Sequence, residues 1–399
     1  MKILVAHNYY QQPGGEDTVV KFELELLRRH GHEVLFVEFS NKDFNELNPA
    51  AKVSNVLSWD FSKRSYEIIH QHCLNFRPDI AHFHNTFYMM TPSVYAACHE
   101  AGVPVVQSLH NFRLLCSNAV FYRDGHTCEE CLDFTLSRGI RYGCYHDSKV
   151  LTWAVVRMLE ANRRNGQWIN QVDAFIASTD FCRQKFEQGG IPKEKIWVKG
   201  HFIPQDPGLR NQIKDYFVFA GRLSEEKGVK VLLEAFKDLR NVKLIIMGDG
   251  PLKGFAEDFI RKHGLNHIRM AGFLQRQEYY DTLKGAQAVI FPSVCYETFG
   301  MTIVDAFACG IPVIASDHGS MPELVQDGKT GLLFEPGDAG ALKEKIQSLV
   351  QNPQQIPVLG AQARKYYETN LSVESNYRQL MSIYAAVSRP STSPRTAQK

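Results

Sequence analysis

The sequence predicts an α/β protein made of two doubly wound domains facing each other across a cleft. Three observations carry this reading. Short β-branched runs alternate with helical patterns along nearly the whole chain. Most of these runs are apolar on both faces, as buried parallel strands are. A stretch without periodicity, residues 201–215, holds Pro204, Pro207 and Gly208 and splits the runs into two series. A length of 399 residues also suits two domains.

The first series lies within residues 1–200: Lys2–Ala6, Glu33–Val37, Ile80–Phe83, Pro104–Leu109, Ala174–Ala177 and Lys195–Val198. The second lies within residues 216–372: Tyr216–Ala220, Lys243–Met247, His267–Ala271, Ala288–Phe291, Pro312–Ala315 and Gly331–Phe334. Residues 201–215 are the expected linker. A helix over 373–388 is expected to pack back on the first domain, and the Ser/Thr/Pro tail 389–399 reads as disordered. Repeated strand–helix alternation points to Rossmann-like sheets, whose ligands bind at the carboxyl ends of strands.

Composition excludes several classes. A formal net charge of +2 gives no case for a nucleic-acid protein. No apolar run approaches the ~20 residues that span a bilayer. Met1-Lys2 leads straight into a strand-like run, with no signal-peptide pattern, so a cytoplasmic protein is expected, with docking at the inner face of the membrane left open. Nine cysteines, an odd number, argue against a disulfide framework. Cys73, Cys98, Cys182, Cys295 and Cys309 are scattered among apolar residues and read as packing.

Three motifs follow strands of the second series. In AGRLSEEKG, Gly221 allows a tight turn and Arg222 offers a planar fork of donors. Lys227 sits near a helix start, where free amides and the dipole favour a phosphate. The alternative is the solvated start of a surface helix. In IMGDGPLKG, Gly248 opens a Gly-x-Gly, but the spacing and the lack of an acid after the next strand exclude a nicotinamide site. A glycine-lined approach for a sugar nucleotide fits better. In VCYETFGMTIVDAFACG, Glu297 precedes Phe299-Gly300-Met301, where Gly300 permits close backbone approach and the next amides are free. Asp305, eight residues after Glu297, stands about 12 Å further along a helix. A buried acid there is costly without a partner.

The segments GRLSEEKG and FPSVCYETFGMTIVDAFACGIPVIASDHGSMPELVQDGKTGLLF, with the amino-terminal Gly14-Gly15 loop, resemble the GT-B glycosyltransferases of family four, which are retaining and use sugar nucleotides. The resemblance spans the second domain closely and the first more loosely. Its signature has two glutamates separated by seven residues; here the spacing is kept and the second is Asp305. By position, the resemblance implies that Glu297 contacts hydroxyls of the transferred sugar and Asp305 the ribose, with one methylene less reach. Arg222 and Lys227 would grip the diphosphate, and Gly221 and Gly248 are counted with the donor-binding residues. The Phe299, Gly300 and Met301 backbone would meet sugar and phosphate, and Gly272-Phe273 the base. His110, just past a strand end, matches the family's histidine on the transferred sugar. Gly14 and Gly15 would offer amides to a phosphate or acceptor. His82 and His84 share one face of a short strand and are assigned no chemistry.

Implied partners are a UDP- or GDP-sugar donor and a saccharide or lipid-linked saccharide acceptor, as in surface polysaccharide assembly. No Asp-x-Asp occurs, so no metal-bridged diphosphate and no catalytic cofactor are expected. Two other functions are weighed: a sugar-nucleotide epimerase of the same fold and a non-catalytic sugar or nucleotide binder. Cys116, Cys128, Cys131 and Cys144 form C-x11-C-x2-C-x12-C within the insert 112–148. They read either as four thiolates around a structural zinc or as reduced cysteines in an idle loop. Downstream, Arg138, Arg141, Lys149, Arg157, Arg163 and Arg164 alternate with apolar residues; this is an ordinary surface helix or a basic face for anionic lipid.

Overall fold

A computed structural model describes residues 1–11 and 14–388; the tail expectation for 389–399 falls outside them. The strands, in chain order, are β1 (Lys2–Tyr9), β2 (Glu33–Ser40), β3 (Ile80–Phe83), β4 (Val105–Leu109), β5 (Tyr122–Arg123), β6 (His126–Thr127), β7 (Ala174–Ala177), β8 (Ile196–Val198), β9 (Phe217–Ala220), β10 (Leu244–Met247), β11 (Ile268–Gly272), β12 (Val289–Phe291), β13 (Val313–Ser316) and β14 (Gly331–Phe334). Every strand expected from the sequence is present. β1 and β2 run three residues further than expected because His7–Tyr9 pair in register with Glu38–Ser40. The β5–β6 hairpin is not foreshadowed by the sequence, since strands of two residues carry no readable period.

Pairing yields two six-stranded sheets, ordered β2-β1-β3-β4-β7-β8 and β11-β10-β9-β12-β13-β14. All their registered pairs are parallel. In the second sheet the chain winds outward from β9 through β10 to β11, then returns to β12 on the other side. The order reverses between β9 and β12. In the first sheet the reversal falls between β1 and β3. Connections leave such a pair in opposite directions, so the carboxyl ends there stay uncovered and form a crevice.

Side chains alternate across each strand, so every sheet buries both faces. In β1, Leu4 and Ala6 join one core with Phe83 and Val105. Ile3 and Val5 point the other way, onto Val20, Leu24 and Leu27 of the helix Gly15–Arg29. Leu380, Ile383 and Tyr384 of the last described helix, Val373–Ser388, complete that second core. The chain thus returns from the second domain to cover the first domain's sheet. Residues 201–215 hold no helix or strand, and Arg364 clamps Asp206 there with two hydrogen bonds of 2.8 and 2.6 Å.

Tyr384 also ties this helix to the sheet by a polar bond. Its hydroxyl meets His82 Nδ1 at 2.8 Å, while His82 Nε2 meets Ser108 Oγ at 2.8 Å. Burial lowers the His82 pKa to about 4, so the ring is neutral and each bond has one donor. Tyr384→Phe keeps the ring and strands one buried nitrogen, which costs about 1–2 kcal/mol. Urea unfolding of the two proteins should show a lower midpoint with an unchanged slope.

Candidate active site at the domain cleft

The second domain supplies one wall from the ends of β9 and β12, the strands that flank its reversal. A Cβ on Gly228 would stand 1.8 Å from the Pro292 carbonyl oxygen, so only glycine lets the two loops approach this closely. That approach brings Lys227 Nζ to 2.5 Å from Glu297 Oε1, which also accepts from Ser293 Oγ at 2.6 Å. Burial pulls the ammonium pKa down, but the charge of Glu297, with Cys295 and Glu226, outweighs this and holds it above its ordinary value. Gly248 makes a second close approach: a Cβ there would lie 2.0 Å from the Gly221 carbonyl oxygen. The need for that glycine comes from its neighbouring loop.

The first domain supplies the opposite wall. Gly14 and Gly15 begin the helix Gly15–Arg29, and a Cβ at either would meet nothing within 4 Å. Gly14 donates to Asp17 Oδ2 at 2.8 Å, and Asp17 Oδ1 meets buried His7 at 2.8 Å. Glu16 turns into the cleft beside Asn111, which donates to Glu16 Oε2 at 3.2 Å. Burial, and then Asp17, raise the Glu16 pKa to about 8.

His110 sits just past β4 at the cleft end of a buried polar chain. Its Nε2 lies 2.9 Å from His84 Nδ1, and His84 Nε2 lies 3.6 Å from Glu23 Oε2. Glu23 Oε1 is 3.3 Å from Lys199 Nζ, which donates to Asn376 Oδ1 at 3.2 Å. Burial would raise the Glu23 pKa, yet Lys199 and the nearby histidines lower it. His84 and His110 are pushed well below the ordinary imidazole pKa by burial and by their neighbours, and His201, whose ring lies 5.5 Å from that of His110, falls to about 3. A Glu23 carboxylate favours the proton on His84 Nε2. His84 Nδ1 then accepts from His110 Nε2, leaving His110 Nδ1 an acceptor.

The walls are pinned together beside the cleft. Thr298 Oγ1 donates to the His110 carbonyl at 2.9 Å, Ser178 Oγ to the Thr298 carbonyl at 2.6 Å, and the Asp180 amide to Glu323 at 2.8 Å. His110, Arg222, Lys227, Glu297, Gly14, Gly15, Gly221, Phe299, Gly300 and Met301 line one cavity between the domains. Gly248 and Phe273 line an adjoining pocket with Tyr279 and Thr302, and Gly221 and Arg222 border both.

Two expected residues are placed differently. Asp305 lies on the helix Met301–Ala308 behind Tyr279 and lines neither cavity; it accepts from Tyr279 at 2.9 Å and Tyr280 at 2.6 Å. The helix turns the shortened acid toward these phenols, and Tyr279 reaches the pocket in its place. Gly272 gives its carbonyl to the Gly248 amide at 2.7 Å, and only the next residue, Phe273, reaches the pocket. Sequence reasoning passes over Glu16, Glu23, Lys199, His201 and Tyr279. Glu16 follows Gly14-Gly15 directly and is within reach of such reasoning; the others come together only through long-range packing.

Two family models, which together cover residues 13–366, show that the chain belongs to the group 1 glycosyltransferases of the GT-B fold, and its two facing Rossmann-like sheets agree with that fold. Residues 205–366 match the family model for glycosyl transferases group 1, and residues 13–204 that for glycosyltransferase family 4. Curated relatives include an uncharacterised glycosyltransferase of Methanocaldococcus jannaschii, 34% identical over 44% of this chain and 46% of that protein. Phosphatidyl-myo-inositol mannosyltransferase of Mycobacterium leprae is 28% identical over 55% of this chain and 61% of its own length. These matches span less than two thirds of either relative. Among solved structures, Anabaena HepE in complex with UDP superposes with a TM-score of 0.66 at 19% identity, covering 97% of this chain and all of that one. Sucrose-phosphate synthase of Thermosynechococcus elongatus gives 0.68 at 16%, covering 97% and 99%.

The raised Glu16 pKa has a stability consequence. A folded-state pKa near 8 against an ordinary 4.5 means the native protein holds a proton that the unfolded chain releases. That contribution is complete below about pH 4.5 and fades as pH rises through 8. Glu16→Gln should therefore gain on the wild type by about 1–2 kcal/mol between pH 6 and 9, read from denaturant midpoints.

Proposed function

We propose that this chain is a retaining glycosyltransferase moving a sugar from a nucleoside diphosphate to a saccharide or lipid-linked saccharide in glycoconjugate assembly. The observation that carries the reading is the Lys227–Glu297 pair on the cleft wall, beside Arg222 and the start of the helix Met301–Ala308, with His110 opposite. Anabaena HepE, of like fold, was crystallised with UDP and with UDP-glucose, which favours a nucleoside diphosphate as the donor handle.

As the anomeric C–O bond breaks, negative charge grows on the departing diphosphate. Lys227, Arg222 and the amides after Gly300 stabilise that charge, and this is the main source of acceleration in the site. The acceptor oxygen bonds the anomeric carbon on the same face, and its proton passes to the departing phosphate oxygen. No protein base is required. Glu297 uses Oε1 for Lys227 and Ser293, leaving Oε2 for sugar hydroxyls. His110, held as an Nδ1 acceptor, receives another hydroxyl. Phe273 and Tyr279 border the pocket assigned to the nucleoside. Compensation by side chains and amides makes turnover independent of added Mg²⁺.

A lipid-linked acceptor requires a place near a membrane surface. No described helix is long and apolar enough to cross a bilayer. The helix Lys149–Arg164 buries Val155, Val156, Met158 and Leu159 and presents Val150 and Trp153 outward near Lys149, the face we assign to lipid contact.

Product release from a panel of sugar nucleotides, each with and without candidate acceptors, tests the reading. Nucleotide release only when acceptor is present is expected; release without acceptor, or interconversion of the donor sugar, refutes transfer. Lys227→Ala should lower turnover at least tenfold, about 1.4 kcal/mol or more in barrier, and near-normal turnover would remove the electrostatic argument.

A further inference from the structure

The first domain's wall of the cleft carries a cation that the proposed transfer leaves unused. Arg113 lies three residues past His110 and lines the same cavity, of about 570 Å³, as Arg222, Lys227 and Glu297. The loop after β4 folds back on itself and fixes this side chain. The Phe112 amide donates to the Ala119 carbonyl and the Cys116 amide to the Phe112 carbonyl, each at 2.9 Å. Within that curl the Arg113 amide donates to Asn111 Oδ1 at 3.0 Å, and its Nη1 donates to the Ser117 carbonyl. The guanidinium carbon stands over two rings, 4.8 Å from the centre of Phe87 and 5.1 Å from that of Tyr145. Aromatic faces hold a cation in place but leave its edge donors unspent. Arg113 Nε is buried and donates to nothing, and among the described residues no carboxylate stands within 4.0 Å of the guanidinium. A partly buried cation without a counter-charge is costly to keep, which favours an anionic ligand as its partner.

The side chains beside it suit the same kind of ligand. Asn111 Nδ2 donates to Tyr10 Oη at 3.0 Å and to Glu16 Oε2 at 3.2 Å, and Tyr10, Glu16 and Asn111 all line the cavity. Glu16 Oε1 is buried and has no partner. One polar atom from each of His7, Glu16 and Asp17 lies within 4.8 Å of the others, and Asp17 is already engaged by the Gly14 amide and His7. Two carboxyl groups this close do not readily both ionise, and burial adds to the effect, raising the Glu16 pKa to about 8. Glu16 therefore meets the cleft as a neutral acid, a hydrogen-bond donor and not an opposing charge. It stands in the first turn of the helix Gly15–Arg29, whose dipole adds positive potential there.

We propose that Arg113, with Glu16 beside it, forms a subsite on the first domain that binds a phosphoryl group carried by the acceptor. The inference rests on the proposed transfer and narrows its acceptor to saccharides that bear a phosphate, as lipid-linked saccharides do. The donor's diphosphate is assigned to the opposite wall, at Arg222 and Lys227, so an anion held on this wall belongs to the other substrate. A phosphoryl group has oxygens enough for the guanidinium edge that includes Nε and for the acid as well, whereas a carboxylate spends both of its oxygens on that edge. Anchoring at Arg113 also keeps the acceptor's own charge away from the cations that serve the leaving group.

Calorimetric titration of the full chain, saturated with UDP to fill the donor wall, tests the subsite with inorganic pyrophosphate as the probe. The wild type should bind the probe, and Arg113→Gln should weaken that binding about tenfold or more with its affinity for UDP unchanged. Arg113→Lys keeps the charge and loses the planar edge, so it should fall between the two; it also decides the matter if the glutamine variant fails to fold. In transfer assays Arg113→Gln should raise KM for phosphoryl-bearing acceptors and leave KM for neutral saccharides as it was. No binding of pyrophosphate to the UDP-saturated wild type, or equal binding by wild type and variants, would overturn the subsite. Loss of UDP affinity in Arg113→Gln would place the guanidinium on the donor and overturn it too, as would acetate binding as tightly as pyrophosphate. UDP binding is read in the same titrations, so the subsite can fail while the proposed transfer stands.

Discussion

An ammonium and a carboxylate held 2.5 Å apart on the wall of a cleft constrain everything around them. Lys227 and Glu297 arrive from loops after different strands, and their meeting requires the β9 and β12 loops to touch at Gly228 and Pro292. Burial of a charged pair is tolerated only when the remaining valences are satisfied, as Ser293 does for Glu297. Glu297 keeps the half-buried Lys227 charged, so the ammonium is already fixed on the cleft wall. Preorganisation of this kind spares the reaction the cost of reorienting dipoles as charge develops.

The facing wall works by the opposite principle. There, burial strips charge from three imidazoles, and the rings persist as neutral, stacked hydrogen-bonding groups. One anionic group, Glu23, is balanced by Lys199 at the inner end of the chain. The helix that returns from the second domain enters this arrangement through Asn376 and Tyr384, so the orientation of His110 depends on both ends of the polypeptide. Bonds from Thr298 to the His110 carbonyl and from Ser178 to Thr298 then couple that wall to the loop carrying Glu297. Cleft-lining groups on two domains are in this way set by one network.

Legibility in the sequence follows the range of the forces involved. β3, β7 and β14 match their expected bounds because runs apolar on both faces have no other stable place. Arg222, Lys227 and Glu297 are readable because each follows a strand end, where topology alone brings loops to the crevice. Glu23 is not, since a carboxylate on an otherwise amphipathic helix looks solvated until Lys199 and His84 are seen against it. His82 and His84 can be placed on one face, but their partners, Tyr384 and His110, lie 302 and 26 residues away. The insert resists reading for a different reason: its strands and helices are too short to show a period.

Asp305 shows how a single methylene redistributes a task. At this position the resembling family carries glutamate, and the aspartate here lies behind the pocket. Its oxygens are not left unsatisfied: Tyr279 and Tyr280, from the preceding helix, donate to one each. Burial raises the acid's pKa and the two phenols pull it back, so the group is stabilised by donors that the protein itself supplies. Because Tyr279 lines the pocket while Asp305 does not, the pocket presents a phenol whose proton is already committed inward. Such a hydroxyl offers its lone pairs outward. The ring beside that hydroxyl adds a flat apolar face to the pocket, so this side of the cleft is built for packing as well as for hydrogen bonding.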